Sequence, residues 1–298
     1  MTKVRAAASI LFFALCLSAF AFGQDDDVIK VDSSMVVLNA LIIDADGLPV
    51  NGLTREQFRV FEDGKEQPIS FFAAEETPFA AVILLDTSGS MEQRVTLARS
   101  AAIAFLDGLR TSDVAAIYRF DSKVELVQGF SNSRDVAERF FDLKARGMTA
   151  LNDALYQAAQ DLAGRPEKRR AIIVLSDGED NFSGRSGDKA LKAALAADAS
   201  IYTVDMSAVQ IGAAKRVQNQ GVLKNFAERS GGTFIATPGG AAMRSAFKTI
   251  VEELGQQYTV GYQPANSAAD GKWRALELRV SRPNLKIRTR RGYYAARS

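Results

Sequence analysis

The chain has 298 residues, with 37 Lys and Arg against 35 Asp and Glu, no histidine and one cysteine. The missing histidine excludes Ser-His-Asp and Cys-His catalysis, histidine-ligated zinc and an imidazole general base. The near balance of charge argues against a dedicated nucleic-acid binder, which carries a basic excess.

The amino terminus has the organisation of an export signal: Lys3 and Arg5, an uncharged apolar run from about Ala6 to Phe22, then the polar Gln24-Asp25-Asp26-Asp27. Cleavage is expected after Ala19-Phe20-Ala21 or Ala21-Phe22-Gly23, so residues 1–23 read as a signal peptide, with a retained membrane anchor as the alternative. The single cysteine, Cys16, lies inside that run. A bulky Leu15 precedes it, which argues against lipid attachment, and the mature protein is expected to have no thiol and no disulfide. Removing Lys3 and Arg5 leaves no net formal charge, and any metal must then be held by oxygen. No later apolar stretch is long enough to span a bilayer.

Residues 24–76 read as β structure. Met35 to Ile43 is a strand, Asp46-Gly47-Leu48-Pro49 a turn, Phe58 to Phe61 an alternating strand, Asp63-Gly64 a tight turn and Ile69 to Phe72 a further strand. Thr54 would cap a single helical turn.

From residue 77 to about 256 strands alternate with helices. The apolar run Ala80 to Leu85 precedes a helix over about Gln93 to Leu109, on which Val95, Ala98, Ala102, Phe105, Leu106 and Leu109 share one face. Val114 to Phe120 and Val124 to Val127 flank Asp121-Ser122 as a hairpin. Thr149 opens an Ala-rich helix to about Leu162. Arg170 to Leu175 is a second buried strand, followed by a helix over about Lys189 to Ala197 and a strand over Ser200 to Asp205. A helix over about Val222 to Arg229, a short strand Thr233 to Ile235 and a helix over Ala241 to Gly255 complete the series. This order predicts an α/β fold: a doubly wound, mostly parallel sheet with helices on both faces.

Residues 257–298 return to β structure, with strands over Gln257 to Tyr262, Trp273 to Val280 and Leu285 to Arg288. Neither flanking β segment has enough strands to bury a face alone. They are expected to pair into one small antiparallel sandwich, the alternative being two independent appendages.

The chemistry concentrates at Asp86-Thr87-Ser88-Gly89-Ser90, where one carboxylate and two hydroxyls alternate directly after a buried strand. Open α/β sheets bind ligands at such carboxyl ends, and these are hard oxygen donors. Taken alone, Asp86, Ser88 and Ser90 are also compatible with a helix cap. Right-handed crossovers bring the loop after the second buried strand, with Asp177, to the same edge.

Asp86-x-Ser88-x-Ser90, Thr149 in Gly147-Met148-Thr149 and Asp177 in Leu175-Ser176-Asp177-Gly178 follow one another in the order of a known pattern. By these motifs, residues 79–255 resemble a von Willebrand factor A domain with its metal-ion-dependent adhesion site. The layout, with export signal and β flanks, is similar to bacterial secreted proteins related to that domain. The resemblance implies a Rossmann-like sheet and a metal held by Asp86, Ser88, Ser90, Thr149 and Asp177. Thr149 would engage in the ligand-bound arrangement. Magnesium is the expected ion, with manganese or calcium as alternatives.

An ion held largely by neutral hydroxyls retains much of its charge, so an Asp or Glu side chain of a partner protein would complete its shell. The expected function is an exported, metal-dependent protein-binding module in the periplasm or outside the cell. A structural or envelope-assembly role for the metal is the alternative. A metal-dependent phosphatase or hydrolase is disfavoured: Ser88 stands where aspartyl phosphatases carry a second acid, and no phosphate-cradling loop is present.

Glu179 and Asp180 extend an acidic rim that would border the partner. Asp121 and Asp205 read as turn and cap residues. Arg165, Lys168, Arg169 and Arg170 read as a solvated loop, and Arg288, Arg290 and Arg291 as charge protecting an exposed edge strand.

Overall fold

The computed structural model describes residues 35–74, 77–136, 140–141, 143–207, 212–236 and 241–297. The export signal assigned to residues 1–23 lies outside them. Within them, no helix is long and apolar enough to cross a membrane.

The α/β unit comprises β5 (Phe79–Asp86), α1 (Val95–Asp107), β6 (Val114–Phe120), β7 (Val124–Ser131), α2 (Leu151–Ala163) and β8 (Arg169–Ser176). It continues through α3 (Gly187–Ala196), β9 (Ala199–Asp205), α4 (Ala213–Ser230), β10 (Phe234–Ala236) and α5 (Ala241–Gly255). The six strands lie in the order β10-β9-β8-β5-β6-β7, all parallel except β7, which turns back along β6. The predicted α/β class and mostly parallel sheet are what the chain forms.

All eight residues of β5 are buried, as a strand covered on both faces requires. Alternation divides them between two cores. Phe79, Ala81, Ile83 and Leu85 pack with Phe105 and Leu106 of α1 and Phe247 and Ile250 of α5. Ala80, Val82 and Leu84 pack with Leu155 of α2, Leu191 of α3 and Leu223 of α4. At about 25 cal/mol per Å² of apolar surface removed from water, these layers are the main stabilising contribution to the domain.

The connection after β5 leads to β6 on one side, and the connection after β8 leads to β9 on the other. The reversal between β5 and β8 opens a crevice at their carboxyl ends. That crevice is where Asp86 and Asp177 emerge.

The flanking strands form two antiparallel sheets. One has the order β13-β1-β11-β4, from β1 (Val36–Ile43), β4 (Ile69–Ala73), β11 (Tyr258–Tyr262) and β13 (Lys286–Arg288). The other has the order β14-β12-β2-β3, from β2 (Phe58–Glu62), β3 (Lys65–Gln67), β12 (Trp273–Val280) and β14 (Gly292–Tyr294). In the first sheet, strands from before the α/β unit alternate with strands from after it, β1 and β4 both pairing with β11; in the second they meet at a single seam, where β2 pairs with β12. Leu38, Val60, Tyr258 and Leu278 share the core beneath them, where the Phe58 ring lies 5.1 Å from that of Tyr258.

Arg169 and Arg290 differ from the solvated roles expected of them, while Lys168 and Arg291 are exposed as expected. Arg169, the first residue of β8, is wholly buried; its Nε donates to Thr259 Oγ1 at 3.0 Å and its Nη2 to the Ala74 carbonyl at 2.6 Å. Arg290 is also buried, donating to the carbonyls of Val37 and Leu195 and pairing with Asp198 at 2.8 Å. Carbonyls at remote strand and helix ends replace water around each guanidinium, so these residues weld the β strands to the base of the α/β unit.

Helix α4 is longer than expected by nine residues' worth of sequence before Val222, beginning at Ala213. Its first half is exposed or partly exposed apart from Asn219, with Ala213, Ala214 and Val217 as its only apolar residues, so it carries no apolar period to read.

Candidate metal centre

Asp86, the last residue of β5, is completely buried. Its Oδ1 accepts the Ser88 amide at 2.9 Å, and its Oδ2 accepts the Ser176 hydroxyl at 2.6 Å. Ser176 ends β8, so a side-chain hydrogen bond joins the two strand ends at the crevice. Thr87 donates its amide to the Phe120 carbonyl at 2.7 Å, which anchors the turn to the end of β6.

Residues 89–91 then form one turn of 3-10 helix. Ser88 precedes it without making a side-chain capping bond, and instead its Oγ lies 3.1 Å from Ser90 Oγ. A helix-cap role therefore leaves these two hydroxyls unexplained.

The Thr149 loop is stitched to this turn by Gly89 N to Gly147 O at 3.1 Å and Arg146 N to Thr87 O at 2.8 Å. Gly147 has φ +79°, and a Cβ there would come within 2.8 Å of Ser122 Oγ, so the close approach requires glycine. Thr149 is buried; its amide donates to Asn181 Oδ1 at 2.8 Å, and its carbonyl accepts from the Asn181 and Phe182 amides. The helix that Thr149 was expected to open begins at Leu151.

Asp177 follows β8 and is buried. Its Oδ1 accepts the Glu179 amide at 3.0 Å, while its Oδ2, also inaccessible to water, has no hydrogen-bond partner. A buried unpaired carboxylate oxygen is costly, and it marks a place built for something else. Burial pushes the Asp86 carboxyl up to about 7, against the bonds from Ser176 and Ser88 that lower it, and the Asp177 charge raises it further. Two mutually repelling carboxylates at one sheet edge are what a cation would relieve.

The donors fit a hard divalent ion. Two carboxylates and the hydroxyls of Ser88, Ser90 and Thr149 supply only oxygen, the chemistry of magnesium or calcium rather than of a soft metal. Among the described residues no cluster of three or more Asp, Glu, His or Cys occurs.

The rim residues are already engaged. Glu179 pairs with Lys215 at 2.9 Å. Asp180 accepts from Asn152 N at 2.8 Å and Ser183 Oγ at 2.7 Å, which fixes the start of α2. Asp121 and Asp205 accept the amides of Lys123 and Ser207 in local turns. Sequence reasoning assigned no role to Ser176 or Asn181, which hold Asp86 and Thr149; the only signal was the adjacency of Ser176 to Asp177.

A six-stranded open, mostly parallel sheet with helices on both faces defines a fold of the doubly wound class. Residues 81–179 match the von Willebrand factor type A domain model, so the α/β unit is similar to a domain of that type. The "Uncharacterized protein sll0103" of Synechocystis sp. is similar to this chain, with 32% identity over 120 residues. That match spans 39% of this chain and 28% of the relative, well short of its full length. Among solved structures, a von Willebrand factor type A protein from Catenulispora acidiphila superposes with a TM-score of 0.50 at 15% identity, over 80% of this chain and 76% of that one. Proximal thread matrix protein 1 of the mussel byssus also gives 0.50, at 14% identity, over 65% of this chain and 51% of its own. Likenesses at such identities describe the fold alone.

Proposed function

We propose that the edge formed by Asp86, Ser88, Ser90, Thr149 and Asp177 holds a divalent cation, Mg²⁺ in the first instance, and uses it to capture an Asp or Glu side chain of a protein partner. The observation that carries this reading is the buried Asp177 Oδ2, which has no partner beside the equally buried Asp86. The von Willebrand factor A fold supports a protein-interaction module. Bound there, the ion would supply positive charge that the neutral hydroxyls leave uncompensated; this chain's own residues orient the donors and keep bulk water from Asp86. The one hydroxyl paired with a carboxylate among the described residues of this edge, Ser176 with Asp86, is wholly buried at the strand end, which supports a structural role for that pair and a binding reading for the edge.

Export to the periplasm or beyond is part of the proposal, supported by Lys3, Arg5 and the apolar run that follows them. The decisive experiment is capture from envelope extract with and without Mg²⁺, with Asp86→Ala as control and folding followed by circular dichroism. Metal-dependent capture that the variant loses is the expected result. Capture unaffected by EDTA would refute the reading, and unfolding by EDTA with no partner captured would favour a purely structural ion.

A further inference from the structure

A cleft of about 930 Å³ opens beside the metal edge, between the Gly178-Glu179-Asp180 loop and one face of α4. Its volume lies in the range of sites that take a ligand. The α4 wall is a single helical stripe of Ala214, Gln218, Gly221, Val222 and Asn225. Four observations concern what this wall is for.

Gly221 sits in the interior of an 18-residue helix, where glycine is about 1 kcal/mol less favourable than alanine. Its φ lies outside the left-handed region, and a Cβ there would meet nothing within 4 Å. Neither backbone conformation nor packing accounts for the glycine, whereas a side chain there would project into the cleft. Asn219, on the same wall, is only 6% exposed and its Nδ2 has no hydrogen-bond partner.

The charges of the cleft are internally neutralised. Glu179 pairs with Lys215, Asp188 with Arg229, and Asp180 is satisfied by Asn152 and Ser183. What remains for a ligand is neutral: the side-chain amides of Gln218 and Asn225 beside the exposed Val222, with Asn219 and Phe226 buried behind them. An uncharged chain of alternating amide donors and acceptors, with side chains of moderate size, is complementary to such a wall. The cleft is also lined by Gly178, the residue after Asp177, so it borders the proposed metal edge.

We infer that this cleft binds an extended polypeptide segment of the partner, the residues flanking the carboxylate that the metal edge receives. The inference rests on the proposed function for its register, but the cleft and its glycine stand independently of the ion. Side-chain amides give main-chain recognition with little sequence demand, and the exposed Val222 prefers one apolar side chain near the carboxylate.

The test uses displayed peptide libraries with one fixed central Asp, selected in Mg²⁺ on the full chain. The selected peptides are then titrated against wild type, Gly221→Trp, Asn225→Phe and Asp86→Ala. Enriched peptides with an apolar residue near the Asp, weakened at least about tenfold by both Gly221→Trp and Asn225→Phe while the Mg²⁺ isotherm is unchanged, is the expected result. Either obstruction reports on the cleft if the other perturbs folding. Peptides that bind both obstructed variants as they bind wild type, or libraries from which nothing is enriched, would overturn the inference. Peptides lost with Gly221→Trp yet retained by Asp86→Ala would leave the cleft standing and sink the metal reading instead.

Discussion

The two ends of the parallel sheet both bury charge, and they do it in opposite ways. At the base, Arg169 is wholly buried with Nε, Nη1 and Nη2 all donating, to Thr259, Thr77, Gly255 and Ala74. At the carboxyl edge, Asp86 and Asp177 are equally buried, but Asp177 Oδ2 is unpaired and the two carboxylates repel. A satisfied buried charge rigidifies its surroundings; an unsatisfied one spends stability that an external partner can return. The difference separates the part of the molecule that holds the fold from the part proposed to bind.

The largest effect should come from the edge. Asp86→Ala is expected to abolish Mg²⁺ binding by calorimetry, and retained affinity would remove this side of the contrast. At the base, Arg169→Ala leaves several carbonyls without donors and should cost about 3 kcal/mol or more in urea unfolding, with Mg²⁺ affinity preserved. Loss of metal binding by a folded Arg169→Ala protein would mean that the two ends are not separable.

The pH dependence sharpens the contrast further. The Asp86 carboxyl is raised from 3.8 to about 7, so its protonated form is favoured in the folded state. The stability it contributes is fully present below its unfolded pKa and is lost as pH rises through about 7. In EDTA, the melting temperature should therefore fall across that interval, and Asp86→Asn should flatten the fall. A slope that survives the substitution would assign it to another group. The smallest expected effect is a local one: Ser186 caps α3 by accepting the Lys189 amide, and Ser186→Ala should cost about 1 kcal/mol with Mg²⁺ affinity unchanged.

Much of the α/β unit was legible because its signals are local. The run Ala80 to Leu85 declares a strand buried on both faces, and α5 spans the predicted Ala241 to Gly255 because its apolar residues recur at helical spacing. Asp86, Ser88, Ser90, Thr149 and Asp177 announce their residue types, and the crossover rule brings their loops to one edge. The arginines were misread for a physical reason. Burial of Arg169 and Arg290 depends on carbonyls of Ala74, Gly255, Val37 and Leu195, which no local pattern around the arginines encodes. Short β14 was missed because three residues carry too little period, and Ser176 because a serine at a strand end has many roles.

The most direct test of the account is titration of Mg²⁺ into the full chain and into Asp177→Asn, which keeps the shape of the side chain and removes its charge. The account predicts saturable one-site binding by the first and none by the folded variant. Indistinguishable isotherms for the two proteins would contradict it.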